Sequence, residues 1–202
     1  MRRRRILFAA ALMLAPAGAS AQDRPVLEPV RDYAATYRAT GNGAGQTTGR
    51  PAELRLSWLA SAQTLRIDRP GYGYALHDRR AGSLRVVMDG NRFAMSLPAG
   101  ANGRIAGFPT RPGPAARFTR EGTETVAGMR CTQWRVEDGA DRGRLCVTAE
   151  GILLRGEGEA NGRRGRIEAV SVSVAPQDAA RFRLPAGVPT VPLPTGLLSP
   201  RG

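Results

Sequence analysis

Short runs of alternating apolar and polar residues, each closed by turn-forming residues, fill most of this chain and leave few ways to fold it. A period of two gives each run one apolar and one polar face, the signature of a half-buried strand. Tyr33, Ala35, Tyr37 and Ala39 share one side against Asp32, Thr36, Arg38 and Thr40, and Leu54, Leu56, Trp58 and Ala60 repeat the pattern opposite Glu53, Arg55 and Ser57. Further runs set Leu65 and Ile67, then Tyr72, Tyr74 and Leu76, then Leu84, Val86 and Met88, then Phe93, Met95 and Leu97 on apolar sides. Gly41-Asn42-Gly43, Pro70-Gly71, Asp89-Gly90-Asn91, Asp138-Gly139 and Asn161-Gly162 separate the runs with residues that accept positive φ. No helical pattern between runs is long enough for a parallel crossover. The expected fold is therefore mainly β with little helix: a single curved antiparallel sheet, or unclosed β-barrel. Ile167, Val170, Val172 and Val174 form a late strand whose parity slips, predicting a bulge between 167 and 170.

The ends read differently. Arg2 to Arg5, an apolar run over 6–15 and the small residues Ala17-Gly18-Ala19-Ser20-Ala21 have the order of a signal peptide cleaved ahead of Gln22. A membrane anchor needs about 20 consecutive apolar residues, roughly twice this run. The expected organisation is a signal peptide over 1–21, one β-rich domain over 22–187 and a Pro-rich unfolded extension over 188–202. All 30 basic residues are arginine, which with abundant Ala, Gly and Pro fits a GC-rich bacterial genome and makes the periplasm the expected compartment. Four arginines leave with the signal, taking the formal charge from +13 to +9. The remainder are scattered, without the clustered patch and stacking aromatics of a nucleic-acid binder. They read as a solvated outer face that favours anionic envelope surfaces.

Residues 98–115 hold four prolines and four glycines and predict a long loop, with Ile105 and Phe108 as its large apolar residues. Cys131 and Cys146 are the only cysteines, and an even count in an exported chain reads as a disulfide. If Asp138-Gly139 is a two-residue turn, Glu137 pairs with Ala140, and counting back sets Cys131 opposite Cys146. That register places Trp134, Val136, Leu145 and Val147 on the apolar side and the bridge outside the main core.

Catalytic signatures are absent: there is no G-x-S-x-G, H-E-x-x-H or P-loop. His77 falls on the polar side of its run and reads as exposed. Gly71-Tyr72-Gly73 lacks the strand-to-helix context of a phosphate loop. Glu121 with Glu124, and Asp138 with Asp141, sit on a strand edge and in a hairpin, where acids need no further role. One His and two Cys do not make a usual structural zinc site. The expectation is no enzyme, no catalytic residue, no metal and no cofactor.

The run from Glu121 through Gly122, Gly128 and Cys131 to Trp134 resembles the G-x-x-x-x-x-G-x-x-C-x-x-W stretch of small periplasmic β-sheet proteins of unknown function. Cys146-Val147-Thr148-Ala149-Glu150-Gly151-Ile152-Leu153-Leu154-Arg155 is similar to their following strand, and Pro176, Phe182, Pro185 and Gly187 to their closing segment. These proteins are grouped with the periplasmic lipoprotein-carrier (LolA/LolB-like) superfamily, and the resemblance implies an unclosed antiparallel barrel around an apolar cavity. Pro25 and Pro29 depart from it, since they break the long N-terminal lid helix of a carrier.

The leading expectation is a non-enzymatic periplasmic protein that takes a lipid-like or other apolar ligand on its concave face. Trp58, Tyr72, Tyr74, Phe93 and Trp134 would line that face, and Ile105 and Phe108 would cover it. The alternative is an envelope adaptor or structural protein that binds a protein partner or anionic surface through its arginine-rich outer face. Neither nucleic acid nor a membrane span is expected.

Overall fold

The computed structural model describes residues 23–41, 51–90, 92–97, 104–105, 108–109, 112–160 and 163–192. The expected signal peptide lies outside them. The strands are β1 (Tyr33–Gly41), β2 (Ala52–Leu59), β3 (Thr64–Arg69), β4 (Gly73–Asp78), β5 (Ser83–Met88), β6 (Ala94–Leu97), β7 (Arg104–Ile105), β8 (Phe108–Pro109), β9 (Arg117–Val126), β10 (Met129–Asp138), β11 (Asp141–Val147), β12 (Leu153–Ala160), β13 (Arg163–Ser173) and β14 (Thr190–Pro192). Twelve of them form one sheet in the order β14-β6-β5-β4-β3-β2-β1-β13-β12-β11-β10-β9, with β7 and β8 paired separately. Every pairing in the large sheet is antiparallel except β14 with β6, and the sheet does not close into a barrel. Three residues of the stretch expected to be an unfolded extension thus add an edge strand. Residues 24–32, with their two prolines, run outside any helix.

Alternation sorts the side chains as the sequence implies. Tyr33, Ala35 and Tyr37 stand opposite Trp58, Leu56 and Leu54, and on the other flank Val172, Ala169 and Ile167 face Ala35, Tyr37 and Ala39. The expected slip in β13 is present as a register shift between Thr36 and Tyr37 on the partner strand. This inner face continues through Gly156, Leu145, Trp134 and Phe118. Two clusters fill it. The larger centres on Tyr37, Trp58, Ile152, Leu154 and Ile167, and the smaller joins Phe118, Trp134, Val136 and Val147. The N-terminal arm seals the face: Pro29 O accepts from Trp58 Nε1 at 2.8 Å, Asp32 accepts from the backbone N–H groups of Ala60 and Gln177, and Leu27 packs on the smaller cluster.

A row of glycines crosses this face. Gly41 pairs with Gly165, Gly165 with Gly158, and Gly158 with Gly143. A Cβ on Gly158 would lie 2.5 Å from Arg142 O, and one on Gly143 2.6 Å from Glu157 O, so the strands coil too tightly there for any side chain.

The opposite, outer face carries a ladder of charge. Glu137, Arg142, Glu159 and Arg164 form one rung across β10 to β13, and Arg135, Arg144, Glu157 and Arg166 the next. Arg135 and Arg144 both bind Glu121, Arg166 binds Glu157 and Glu168, and Arg155 spans from Glu124 on β9 to Glu168 on β13. These arginines are matched by glutamates and do not form a bare basic surface. Hydrogen bonds from Arg166, then from Arg155, hold the Glu168 carboxyl below its ordinary range against the opposing effect of burial, and Arg135 and Arg144 do the same to Glu121.

The disulfide forms as expected, with an S–S distance of 2.11 Å and a Cα separation of 5.4 Å, but two expectations about it are corrected. The β10–β11 turn is Gly139-Ala140, so Asp138 pairs with Asp141 and Cys146 faces Gln133. Gly139, at φ 61°, takes the first turn position, and the ladder shifts by two residues. An even shift preserves every face assignment, because side chains alternate with period two. The bridge also belongs to the larger core cluster, each cysteine being 2% exposed. That side of the ladder is not open to water: β9 approaches β13, and the Glu124–Arg155 pair lies over the sulfurs. A closed loop of this length is worth about 3 kcal/mol in the loop-entropy model.

Two outcomes follow from this packing. Gly158→Ala should lose about 1–3 kcal/mol of stability in chemical denaturation, since backbone rather than a side-chain tip blocks its Cβ. Gly122→Ala is the control and should be near neutral, with its nearest atom a side-chain oxygen 4.0 Å away. Because the folded pKa of Glu168 lies below its unfolded value, its stabilisation is complete above the ordinary carboxylate range and disappears as pH falls through the depressed value. The loss of stability between neutral pH and pH 3, by denaturant titration, should be smaller in Glu168→Gln than in the parent.

Candidate functional site

Cross-strand rungs on the inner face of β3 to β6 build the candidate site. Ile67, Ala75, Val86 and Met95 form one rung, and Leu65, His77, Leu84 and Leu97 the next. Around Tyr37 and Trp58 the face is fully packed, but Ile67, Ala75, Val86, Met95, Leu84 and Leu97 are only half-buried, and Met88 at one end is 43% exposed. Apolar area left uncovered across adjacent strands is a surface that a ligand can complete.

The sequence-predicted lining residues do not assemble as one group. Trp58 and Trp134 share the inner face, but both are core: Trp58 is bound to Pro29, and Trp134 meets Phe118 edge-on with ring centroids 6.5 Å apart. Tyr74 pairs with Asp68 on the outer face, with the Arg66 guanidinium 3.9 Å from its ring centroid. Tyr72 lies in the preceding turn, 56% exposed beside Arg69. Phe93 stands just before β6 and is 38% exposed. The cause is the β3–β4 hairpin, which sets His77 opposite Leu65 and Ala75 opposite Ile67. An odd register offset turns the apolar run Tyr72-Tyr74-Leu76 to the outer face.

His77 is corrected by the same register. It is 6% exposed on the apolar face, between Leu65 and Leu84, rather than solvated. Leu76, on the outer face, is fully buried; the 3-10 turn Ala179–Phe182 packs on β3 there, with Arg181 O accepting from Arg66. Ile105 and Phe108 fall in the β7–β8 hairpin, whose backbone lies against β12. Their side chains lie outside the described residues.

Ile67, Ala75, Leu84, Val86, Met88, Met95 and Leu97 are site residues that the sequence did not mark as lining. Alternation placed all but Ala75 on an apolar side, but no pattern within a strand says whether a neighbour covers it. Two hollows lie away from these rungs. An open groove of about 690 Å³ runs over β10 to β13, lined by the glycine row and by charged residues of the outer-face rungs such as Arg135, Arg144, Glu157 and Arg166, and another of about 640 Å³ lies between the N-terminal arm and residues 112–114. At the second, Arg24 donates to the carbonyls of Gly113, Pro114 and Ala116, and its guanidinium sits 5.0 Å from the Phe118 ring centroid.

The titratable groups nearest this core are structural. Burial raises the Tyr33 hydroxyl to about 12, partly offset by its hydrogen bond with Tyr37 and by Arg79, and burial also raises Tyr37, which donates to Leu153 O at 2.5 Å. Glu124, Cys131 and Cys146 bring donor atoms within 4.8 Å of one another, but both sulfurs are in the disulfide and the carboxylate is bound to Arg155.

No family profile matches the chain, and no curated protein matches it. Solved structures do. The Pseudomonas aeruginosa MucA/MucB complex aligns at 14% identity with a TM-score of 0.51, over 79% of this chain and 58% of that chain. PNGF-II aligns at 11% identity with a TM-score of 0.52, over 83% of this chain and 33% of that one. A LolA superfamily protein from Nitrosomonas europaea aligns at 8% identity with a TM-score of 0.42, over 79% and 93% of the two chains. The chain therefore spans less than two thirds of the MucB and PNGF-II chains, and at these identities the likeness is one of fold. In fold, the chain shares a sheet with the MucB and PNGF-II chains over about four fifths of its length, and that sheet is unclosed and, but for one pairing, antiparallel, as the sequence implied.

Proposed function

We propose that the chain is an exported, non-enzymatic binding protein of the periplasm that takes an apolar or lipid-like ligand on the inner face of β3 to β6. One observation carries the reading. The rung of Ile67, Ala75, Val86 and Met95, with Leu84 and Leu97 of the next, continues the packed core beyond buried Leu65 and His77 without being filled itself. The lining is accordingly these aliphatic residues, with Met88 and Phe93 at one end, in place of Tyr72 and Tyr74.

The second reading is an adaptor for a protein partner. A neighbour in fold, MucB, was solved together with MucA, which favours it. Its anionic-surface form has less support, because glutamates match the arginines of β10 to β13.

Protein isolated from its native envelope should begin near Gln22, as N-terminal sequencing would establish, and should carry a bound amphiphile. A fluorescent apolar dye should bind the delipidated protein. Val86→Asp should weaken that binding tenfold or more, about 1.4 kcal/mol, because it sets a charge in the apolar rung. Tyr72→Ala should leave it unchanged. Dye binding too weak to detect, or equal in the two variants, would remove the ligand reading and leave the adaptor.

A further inference from the structure

The outer face of β5 holds a cation without a counterpart. Arg85 is half-buried, its Nε is shut off from solvent, and among the described residues it makes no hydrogen bond, ion pair or ring contact. It is alone in this: the other described arginines that lack a partner, such as Arg38, Arg55, Arg92, Arg117 and Arg183, are exposed to water. An Nε–H withdrawn from water with an unmade hydrogen bond is destabilising, and buried polar groups nearly always have partners. An orphan of this kind marks the place of an acceptor that arrives from outside.

The surroundings specify that acceptor. Ser96 stands directly opposite Arg85 on β6, and Ser83 lies two residues back on the same face of β5, so two serines hold the neighbouring positions of its face. On its other side the rung continues through Leu76, fully buried, to Arg66. The acids of this face are engaged elsewhere. Asp68 binds Arg66 and Arg181, and Asp78 accepts from the backbone N–H of Ala81. The structure assigns to Arg85, Ser96 and Ser83 a binding site for a single oxyanion, a carboxylate or a phosphate group. The guanidinium supplies charge with two N–H donors on one edge, and the serines supply further donors. The site lies on the face opposite the apolar rungs and does not depend on them.

Thermal unfolding of the full chain at matched ionic strength tests this, with sodium chloride as reference and sodium phosphate or sodium acetate as probe. The site predicts a rise in melting temperature with at least one probe, saturating with concentration. A rise with phosphate alone assigns a phosphate group, and a rise with acetate a carboxylate. Arg85→Met should abolish the rise and, in chloride, melt no lower than the parent, since it removes an unpaired buried donor while keeping the apolar stem. Ser96→Ala should reduce the response without lowering the melting temperature in chloride. A parent unmoved by either anion, or an Arg85→Met variant that still responds, would overturn the site. So would a variant that melts well below the parent in chloride, because the guanidinium would then be making a structural contact.

Discussion

A sheet twelve strands wide buries its apolar side only if it coils, and coiling brings neighbouring backbones together on one face. The structure meets that constraint where Gly41, Gly165, Gly158 and Gly143 stand side by side across four strands. At Gly143 and Gly158 a methyl group would enter the carbonyl of the next strand. Removing side chains at that row lets the rest of the inner face pack into a core around Tyr37 and Trp58.

Coiling makes the two faces unlike one another along their length. Near β1, β2 and β13 the inner face is dry, and the N-terminal arm finishes it by giving the Trp58 indole its acceptor. Toward β6 the same face thins out, and its aliphatic rungs are only half covered. On the outer side a lattice of arginine and glutamate spans β9 to β13 and encloses the disulfide beneath Glu124 and Arg155. Exposed pairs of this kind contribute little singly. As a lattice they tie five strands together: unlike charges attract across β11 to β13, and Glu121, bound to both Arg135 and Arg144, offsets the repulsion of those two opposed arginines.

The strand edges are managed as well. β14, carrying Pro192, covers the edge of β6 with three residues in parallel register. At the far edge β9 is bulged opposite Gln133 and Trp134, which interrupts its pairing row and discourages another strand from adding to it.

What the sequence determined by itself was periodic or local. Alternation fixed which residues of each strand lie together, turn residues fixed where strands end, and the parity slip in β13 was legible before any pairing was known. The disulfide was legible too, from cysteine count, and so was the non-helical course of residues 24–32, from Pro25 and Pro29. The tertiary structure decided how one strand meets the next. A shift of two residues in the β10–β11 turn changed partners without changing faces, whereas the odd offset of the β3–β4 hairpin carried Tyr72 and Tyr74 away from Trp58 and drew His77 into the core. Coverage was equally beyond a single strand's pattern: whether Val86 stays half open, whether Cys131 is buried and whether Arg85 finds an acceptor depend on what packs above them. Period two is a property of the backbone, so sequence carries it. Register and cover are relations between segments distant in the chain, and only the folded sheet sets them.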